Sequence, residues 1–350
     1  MAPVTRSRDV GPALTVACIG GLANRLRILF SGIALSELTG HEFTLLWPRS
    51  RACGATFPEL FANDWNVVEV TEAEAIALPA LGGFAAGKLP NLATGAAPAP
   101  FRTGVWLMPK DTCWRSHRQW NGESAMPADI VASAWLRVVE LDRELMPVAA
   151  VQERADAFRA SSFRPTMIGV HLRRGDFARF RPEVTGNFAA VARRVDDYLE
   201  EAPDAGILLC TDDGAPDAYR GHEIPTEGVK EAFEERFPGR VVATDPRSLV
   251  RGEREAVEDA LVDLLLLRQV SMFVGTKGSS FSELATLGRD VPTAVLGRGR
   301  PRDRVMRYTG VEAGVIGLGV LTLGRVMPAS TVLRQWRRRA RRGLSRGGAK

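Results

Sequence analysis

The sequence is poor in the residues that announce metal or redox chemistry. Its four cysteines, Cys18, Cys53, Cys113 and Cys210, lie far apart and form no C-x-x-C pair. That argues against a zinc site or a disulfide framework and for reduced, buried thiols in a cytosolic protein. The four histidines, at 41, 117, 171 and 222, lack metal-ligand spacing, and no D-x-D pair is present to hold a divalent cation under a diphosphate. A G-x-S-x-G nucleophile elbow is missing, as is the G-x-x-x-x-G-K-[ST] order of a P-loop. No uninterrupted apolar run reaches the ~18 to 20 residues of a spanning helix; the nearest approach, "AGVIGLGVLTLGRVMPASTVL", carries Arg325 in its middle. "RSRDVGPALTVAC" is too short, and too broken by Gly11 and Pro12, for a secretory signal. No internal repeat is found.

Acid is absent from one place in particular. The chain carries a net +5, yet residues 334–350 contain eight basic residues and no Asp or Glu, so the remainder stands at −3. The basic character therefore describes an appendage. Nucleic acid is not expected as a partner, because the body is acidic and Trp336 alone interleaves the arginines of the tail. The tail reads either as a solvated end or as a patch resting on an anionic membrane surface, where each basic residue adds about 1 kcal/mol. The protein is accordingly expected in the cytoplasm, and on the second reading peripherally at the inner face of the membrane.

What is present is an alternation of short apolar strands and helices, which predicts an α/β protein with parallel sheets. At 350 residues, two domains are expected. "ALTVACI" (13–19) reads as a strand and "LANRLRILFSGIALSELTG" (22–40) as a helix with Leu22, Leu26, Leu29, Ile33 and Leu38 near one face. "EFTLLW" (42–47) is the next strand, 75–105 a loop or insertion, and 130–145 and 148–160 a pair of helices. A second alternating half follows: strand 166–172, helix 188–202, strand 205–210, helix 254–269, strand 271–275 and a helix from Ser280.

Ligands of open parallel sheets bind beyond the carboxyl ends of the strands. Four polar clusters stand there: "GGLANR", "RRGD" after "GVHL", "TDD" after "ILLC", and "GTKGSSFSE" after "MFV". Arg173 and Arg174 offer planar, always-charged forks suited to phosphate oxygens, or else form a surface ion-pair group with Asp176. Because side chains alternate along a strand, the two arginines are expected to face opposite ways. Ser279 and Ser280 could hold a phosphate at a helix start or act as an ordinary N-cap. Asp212 and Asp213 could accept from a ribose or base, or cap the helix that follows them. Gly20 and Gly21 would allow close backbone approach to a sugar or phosphate, and His171, on an apolar strand, reads by default as a satisfied core histidine.

"GGLANRL", "ALSELTGHEFTLLW", "IGVHLRRGD", "ILLCTDD" and "DLLLLRQVSMFVGTKGSS", in that order, resemble the α-1,6-fucosyltransferase and protein O-fucosyltransferase superfamily, including the bacterial nodulation-factor fucosyltransferases. The resemblance covers about residues 16–61 and 166–288. It implies a GT-B-like fold, two Rossmann-type domains facing a cleft: 1–145 as the acceptor-side domain, 146–163 as a helical linker, 164–310 as the nucleotide-sugar domain, and 311–350 as an apolar Gly-rich stretch and basic tail. It also implies a GDP-sugar donor, GDP-fucose in the first place, inversion at the anomeric carbon, and neither metal nor other cofactor. The acceptor would be a glycan, a lipid-linked saccharide or a protein.

By position, Arg173 resembles the arginine at the donor's β-phosphate, with Arg174 and Asp176 shaping its loop. His171 and Asp263 resemble the guanine contacts, Asp212 and Asp213 the aspartates lining the donor pocket, and Ser279 and Ser280 the serines at the diphosphate. Asn24, beside Gly21 in the "GGLAN" turn, resembles the asparagine that faces the site from the first domain. The spacing of the family's acidic base falls on Arg181, which leaves Glu183 as the candidate. A noncatalytic nucleotide-sugar or glycan binding protein on the same fold is the alternative.

Deleting residues 331–350 is expected to abolish cosedimentation with anionic vesicles at low salt. Equal cosedimentation with and without the tail, at low and high salt, would assign the tail to solvent.

Overall fold

The computed structural model describes residues 13–18, 20–39, 42–73, 105–107, 128–174, 188–215, 228–277 and 279–296. Asp176, Glu183, Cys113 and the basic tail lie outside the described residues. The described part divides into two units, which do not follow the expected contiguous boundaries. One takes the described residues through Ala160 together with Ala215 and Asp245–Leu265, and the other takes those of Ser161–Gly214, 228–244, and from Leu266 onward.

A strand with no polar alternation must be covered on both faces, as in parallel sheets packed between helices. "MIGVHL" is such a strand: β5 (Met167–Leu172) is buried at every position. It lies at the centre of a sheet completed by β6 (Gly206–Thr211), β7 (Val241–Val242), β8 (Met272–Thr276) and β9 (Thr293–Leu296). The order is β7-β6-β5-β8-β9, and all pairings are parallel. Taken in chain order, this is the 3-2-1-4-5 winding of a Rossmann-type sheet, whose direction of growth reverses between β5 and β8.

One face of that sheet presents Ile168, Val170, Leu172, Ile207 and Leu209 to Val191, Ala192, Val195 and Tyr198 of a helix (Phe188–Glu201) and to Phe233 of another (Val229–Arg236). Val191, Val195 and Tyr198 recur at helical spacing and form the buried face of the first of these helices. On the opposite face Gly169 lets the chain after helix Arg254–Leu267 approach closely, since a Cβ there would meet Val270 at 2.9 Å.

The other unit repeats the winding. Strands β1 (Ala13–Ala17), β2 (Glu42–Pro48), β3 (Val67–Val70) and β4 (Val105–Leu107) run parallel in the order β3-β2-β1-β4. Helix α1 (Leu22–Thr39) was expected to bury one face, but Leu22, Ala23, Leu26, Ile28, Leu29, Phe30, Ala34 and even Arg25 and Arg27 are buried. Phe30, Trp47, Phe57, Phe61 and Trp65 pack edge-on or tilted against one another beside it.

Residues 245–265 join this unit through charge. Arg154 and Arg247 both bond Asp259, at 2.5 and 2.7 Å, and Arg247 also reaches Glu258 at 2.8 Å. Arg254 bonds Glu258 at 2.5 Å and approaches Glu59 at 3.4 Å, and Glu59 is in turn held by Arg49 at 2.8 Å. Burial works to raise the Asp259 carboxyl, but bonds from Arg247 and Arg154 prevail and hold it below its usual range.

The same junction is backbone against backbone at its centre. Gly54 N–H donates to Arg251 O at 2.8 Å, and a Cβ on Gly54 would lie 2.1 Å from Gly252 O, whereas one on Gly252 would meet nothing nearer than 3.5 Å. Gly54→Ala is therefore expected to destabilise the protein by about 1 to 3 kcal/mol in thermal or urea unfolding, and Gly252→Ala by less than about 0.5 kcal/mol. Equal effects would contradict the close approach.

Candidate functional site

The polar residues of the second unit gather where its sheet reverses. At or just past the ends of β5, β6 and β8 stand Arg173 and Arg174, Asp212 and Asp213, and Thr276 followed by Ser279. This is the crevice in which open α/β sheets hold ligands.

Each arginine has a carboxylate partner just past the end of the next strand. Arg173 Nη1 bonds Asp212 Oδ2 at 2.5 Å, with side chains 21% and 17% exposed, and Arg174 Nε lies 3.7 Å from Asp213 Oδ1, with both side chains nearly buried. Two part-buried pairs thus link the ends of β5 and β6, while the expected pairing with Asp176 lies outside the described residues. Asp212 does more, since its Oδ1 accepts the backbone N–H of Arg174 at 2.6 Å. The two side chains differ in exposure, Arg173 partly open and Arg174 6% exposed as a residue. Asp213 takes the helix-capping alternative, its Oδ2 accepting the N–H of Val229 at the start of helix Val229–Arg236 at 3.3 Å.

His171 is 6% exposed, stacked on Phe281 with ring centroids 4.8 Å apart, and bonded through Nδ1 to Ser282 Oγ at 2.7 Å. Ser282 Oγ also receives the Thr276 N–H at 3.1 Å, so one hydroxyl holds both the end of β8 and the imidazole ring. Burial pushes His171 down to about 4, a shift opposed by Asp212 and assisted by Arg173. It is the buried, hydrogen-bonded histidine of the default reading, and it sits one residue from the arginine doublet.

Ser279 is the N-cap of the short helix Ser280–Ala285 and accepts from Ser282 N–H at 3.5 Å. Ser280, its first residue, is half-buried. Gly275 is required by the same corner, because a Cβ there would stand 2.9 Å from Ser282.

Three further candidates belong to the other unit. Gly21 and Asn24 stand at the start of α1, and Asp263 lies half-buried on the part of helix Arg254–Leu267 that groups with that unit. Gly21 has room for a Cβ, 3.4 Å from Ala52 O. The sequence reading missed Arg25, which is wholly buried. Its guanidinium bonds Gly20 O at 2.7 Å, Pro48 O at 2.6 Å and Ser50 Oγ at 3.0 Å, and lies 5.0 Å over the Trp47 ring. The signal was available: Arg25 falls three residues after Leu22 and four before Leu29, a charge on the apolar stripe.

Among the described residues, no group of three His, Cys, Asp or Glu converges as a metal site, and no helix is long and apolar enough to cross a membrane. Cys18, Cys53 and Cys210 are buried thiols, as expected for a core.

No protein-family model matches the chain, and no curated protein does. Solved structures do. The fucosyltransferase NodZ from Bradyrhizobium is 17% identical, with 79% of this chain and 92% of that one covered and a TM-score of 0.46. POFUT1 in complex with GDP is 13% identical over 82% of this chain and 99% of that one, at 0.47. A variant of Arabidopsis thaliana FUT1 in complex with GDP is 13% identical over 83% and 71%, at 0.49. With every TM-score under 0.5, these likenesses carry no residue assignment, and the roles of the side chains follow from this chain's own geometry.

The His171 environment sets a pH dependence. The folded imidazole titrates near 4 and an unfolded one near 6.5, so between these values the unfolded state binds the extra proton. The His171 contribution is complete above about pH 6.5 and is lost as pH falls toward 4, at up to about 1.4 kcal/mol per pH unit. Long-range ¹H–¹⁵N spectra should show His171 neutral at pH 5.5. Titration near 6.5 would contradict this.

Proposed function

We propose that the chain is an inverting, metal-independent glycosyltransferase that transfers fucose from GDP-fucose to a glycan, a lipid-linked saccharide or a protein. The observation that carries the reading is the arginine doublet, held at the sheet's reversal point beside the strand-end hydroxyls. A departing diphosphate accumulates negative charge, and fixed guanidinium donors in a low-dielectric crevice stabilise it without reorganising. Guanine and fucose as the particular base and sugar rest on the motif resemblance.

In the proposed step an acceptor hydroxyl attacks the anomeric carbon from the face opposite the diphosphate. The bond from that carbon to the diphosphate oxygen breaks, and GDP leaves with the electron pair. Arg173 meets the β-phosphate, and Asp212 keeps its fork oriented at the strand end. The acceptor proton passes to a carboxylate, for which Glu183 is the candidate. Asp212 and Asp213 are engaged by arginines and backbone donors, which supports assigning charge compensation to the guanidinium groups. Peripheral attachment through the basic tail would keep such an enzyme beside a lipid-linked acceptor.

Thermal-shift screening of nucleotide sugars should single out GDP-fucose, with stabilisation of about 2.7 kcal/mol at a hundredfold excess over its Kd. GDP release should persist in excess EDTA and fall by about 10² to 10³ or more in Arg173→Ala. Binding without turnover would favour the noncatalytic alternative. Loss on chelation with recovery on Mg²⁺ or Mn²⁺ would overturn the metal-independent reading.

A further inference from the structure

Thr276, the last residue of β8, belongs to none of the roles assigned so far. β5 and β8 pair in register as far as His171 opposite Gly275. Two residues further, the backbone N–H of Arg173 is taken by the Thr276 hydroxyl at 2.9 Å, and the same hydroxyl donates to His171 O at 3.0 Å. Thr276 is 4% exposed, so water does not compete for these bonds. Its own N–H is fixed by Ser282 Oγ, the group that also holds the His171 ring.

Asp212 acts on the opposite flank through the N–H of Arg174. Two successive backbone donors of the doublet are thus each accepted by a side chain from a neighbouring strand end, one neutral and one charged. The charged one also bonds the Arg173 guanidinium. The neutral one acts on the backbone alone, so its effect on a ligand passes through the direction it gives Arg173.

We infer that Thr276 is a positioning residue of the diphosphate subsite: its hydroxyl fixes the backbone of Arg173 where β5 leaves the sheet, and so aims the guanidinium. This rests on reading the crevice as a GDP-sugar site. A buried donor left without its acceptor shifts to find another, and here the shift would carry the arginine with it. A hydroxyl that served the fold alone would instead alter stability and leave phosphate recognition unchanged.

The test compares Thr276→Val, close in shape but without the hydroxyl, with Thr276→Ser, which restores it, and with Arg173→Ala and the double variant. GDP and guanosine dissociation constants are measured by calorimetry on protein whose fold is verified by circular dichroism. Thr276→Val should weaken GDP about tenfold while leaving guanosine within about twofold. Thr276→Ser should return GDP to within about threefold of wild type, and Thr276→Val should add nothing in the Arg173→Ala background. Thr276→Cys, whose thiol is a weak acceptor, serves if valine is not accommodated, and should lose GDP affinity by about threefold or more. Unchanged GDP affinity on loss of the hydroxyl, equal losses for GDP and guanosine, or full additivity with Arg173→Ala would overturn the inference alone. Wild-type protein that does not bind GDP would overturn the donor-site reading and this inference with it.

Discussion

Backbone groups at the ends of strands buried on both faces must find partners other than water, and side chains of neighbouring strand ends supply them here. In the second unit they are mainly donors: Thr276 accepts from Arg173, while its hydroxyl donates to His171 O, and Asp212 accepts from Arg174. In the first they are acceptors, and the Arg25 guanidinium donates to Gly20 O and Pro48 O. The two solutions have opposite chemical consequences. Arg25 is consumed by the fold and wholly buried, whereas the doublet is fixed by its backbone and its guanidinium groups are matched with carboxylates at the crevice.

The same economy of partners explains why the site's charge is not general positive charge. Each arginine of the doublet faces an aspartate of β6's end, so the crevice has fixed positions of both signs. A nucleoside diphosphate entering it meets an oriented fork. Long-range attraction by net charge is not needed, in keeping with a body at −3.

The regular elements were legible in the sequence as short apolar runs for the strands and longer amphipathic stretches for the helices: "MIGVHL", "GILLC" and "FAAVARRVDDYLEE" fall within a residue or two of their expected bounds. Short pieces were not, since β3, β7, β9 and helix Val229–Arg236 offer two to eight residues with little pattern of their own. The pairing of the doublet was missed for a different reason. Asp176 is close in sequence, but Asp212 is brought close only by the parallel registration of β5 with β6. The role of Thr276 likewise exists only once β8 lies beside β5. Residues 245–265 read as part of the second half by order along the chain, yet the arginine–carboxylate chain and the Gly54–Gly252 contact group them with the first unit. Such long-range charge matching leaves no local signature.

A crystal structure of the protein with GDP-fucose tests the central claim most directly. The diphosphate should lie beyond the ends of β5 and β8, with β-phosphate oxygens within hydrogen-bond distance of the Arg173 guanidinium. The backbone N–H groups of Arg173 and Arg174 should remain on Thr276 and Asp212. A nucleotide bound elsewhere, or a diphosphate in that crevice out of reach of Arg173, would contradict the account.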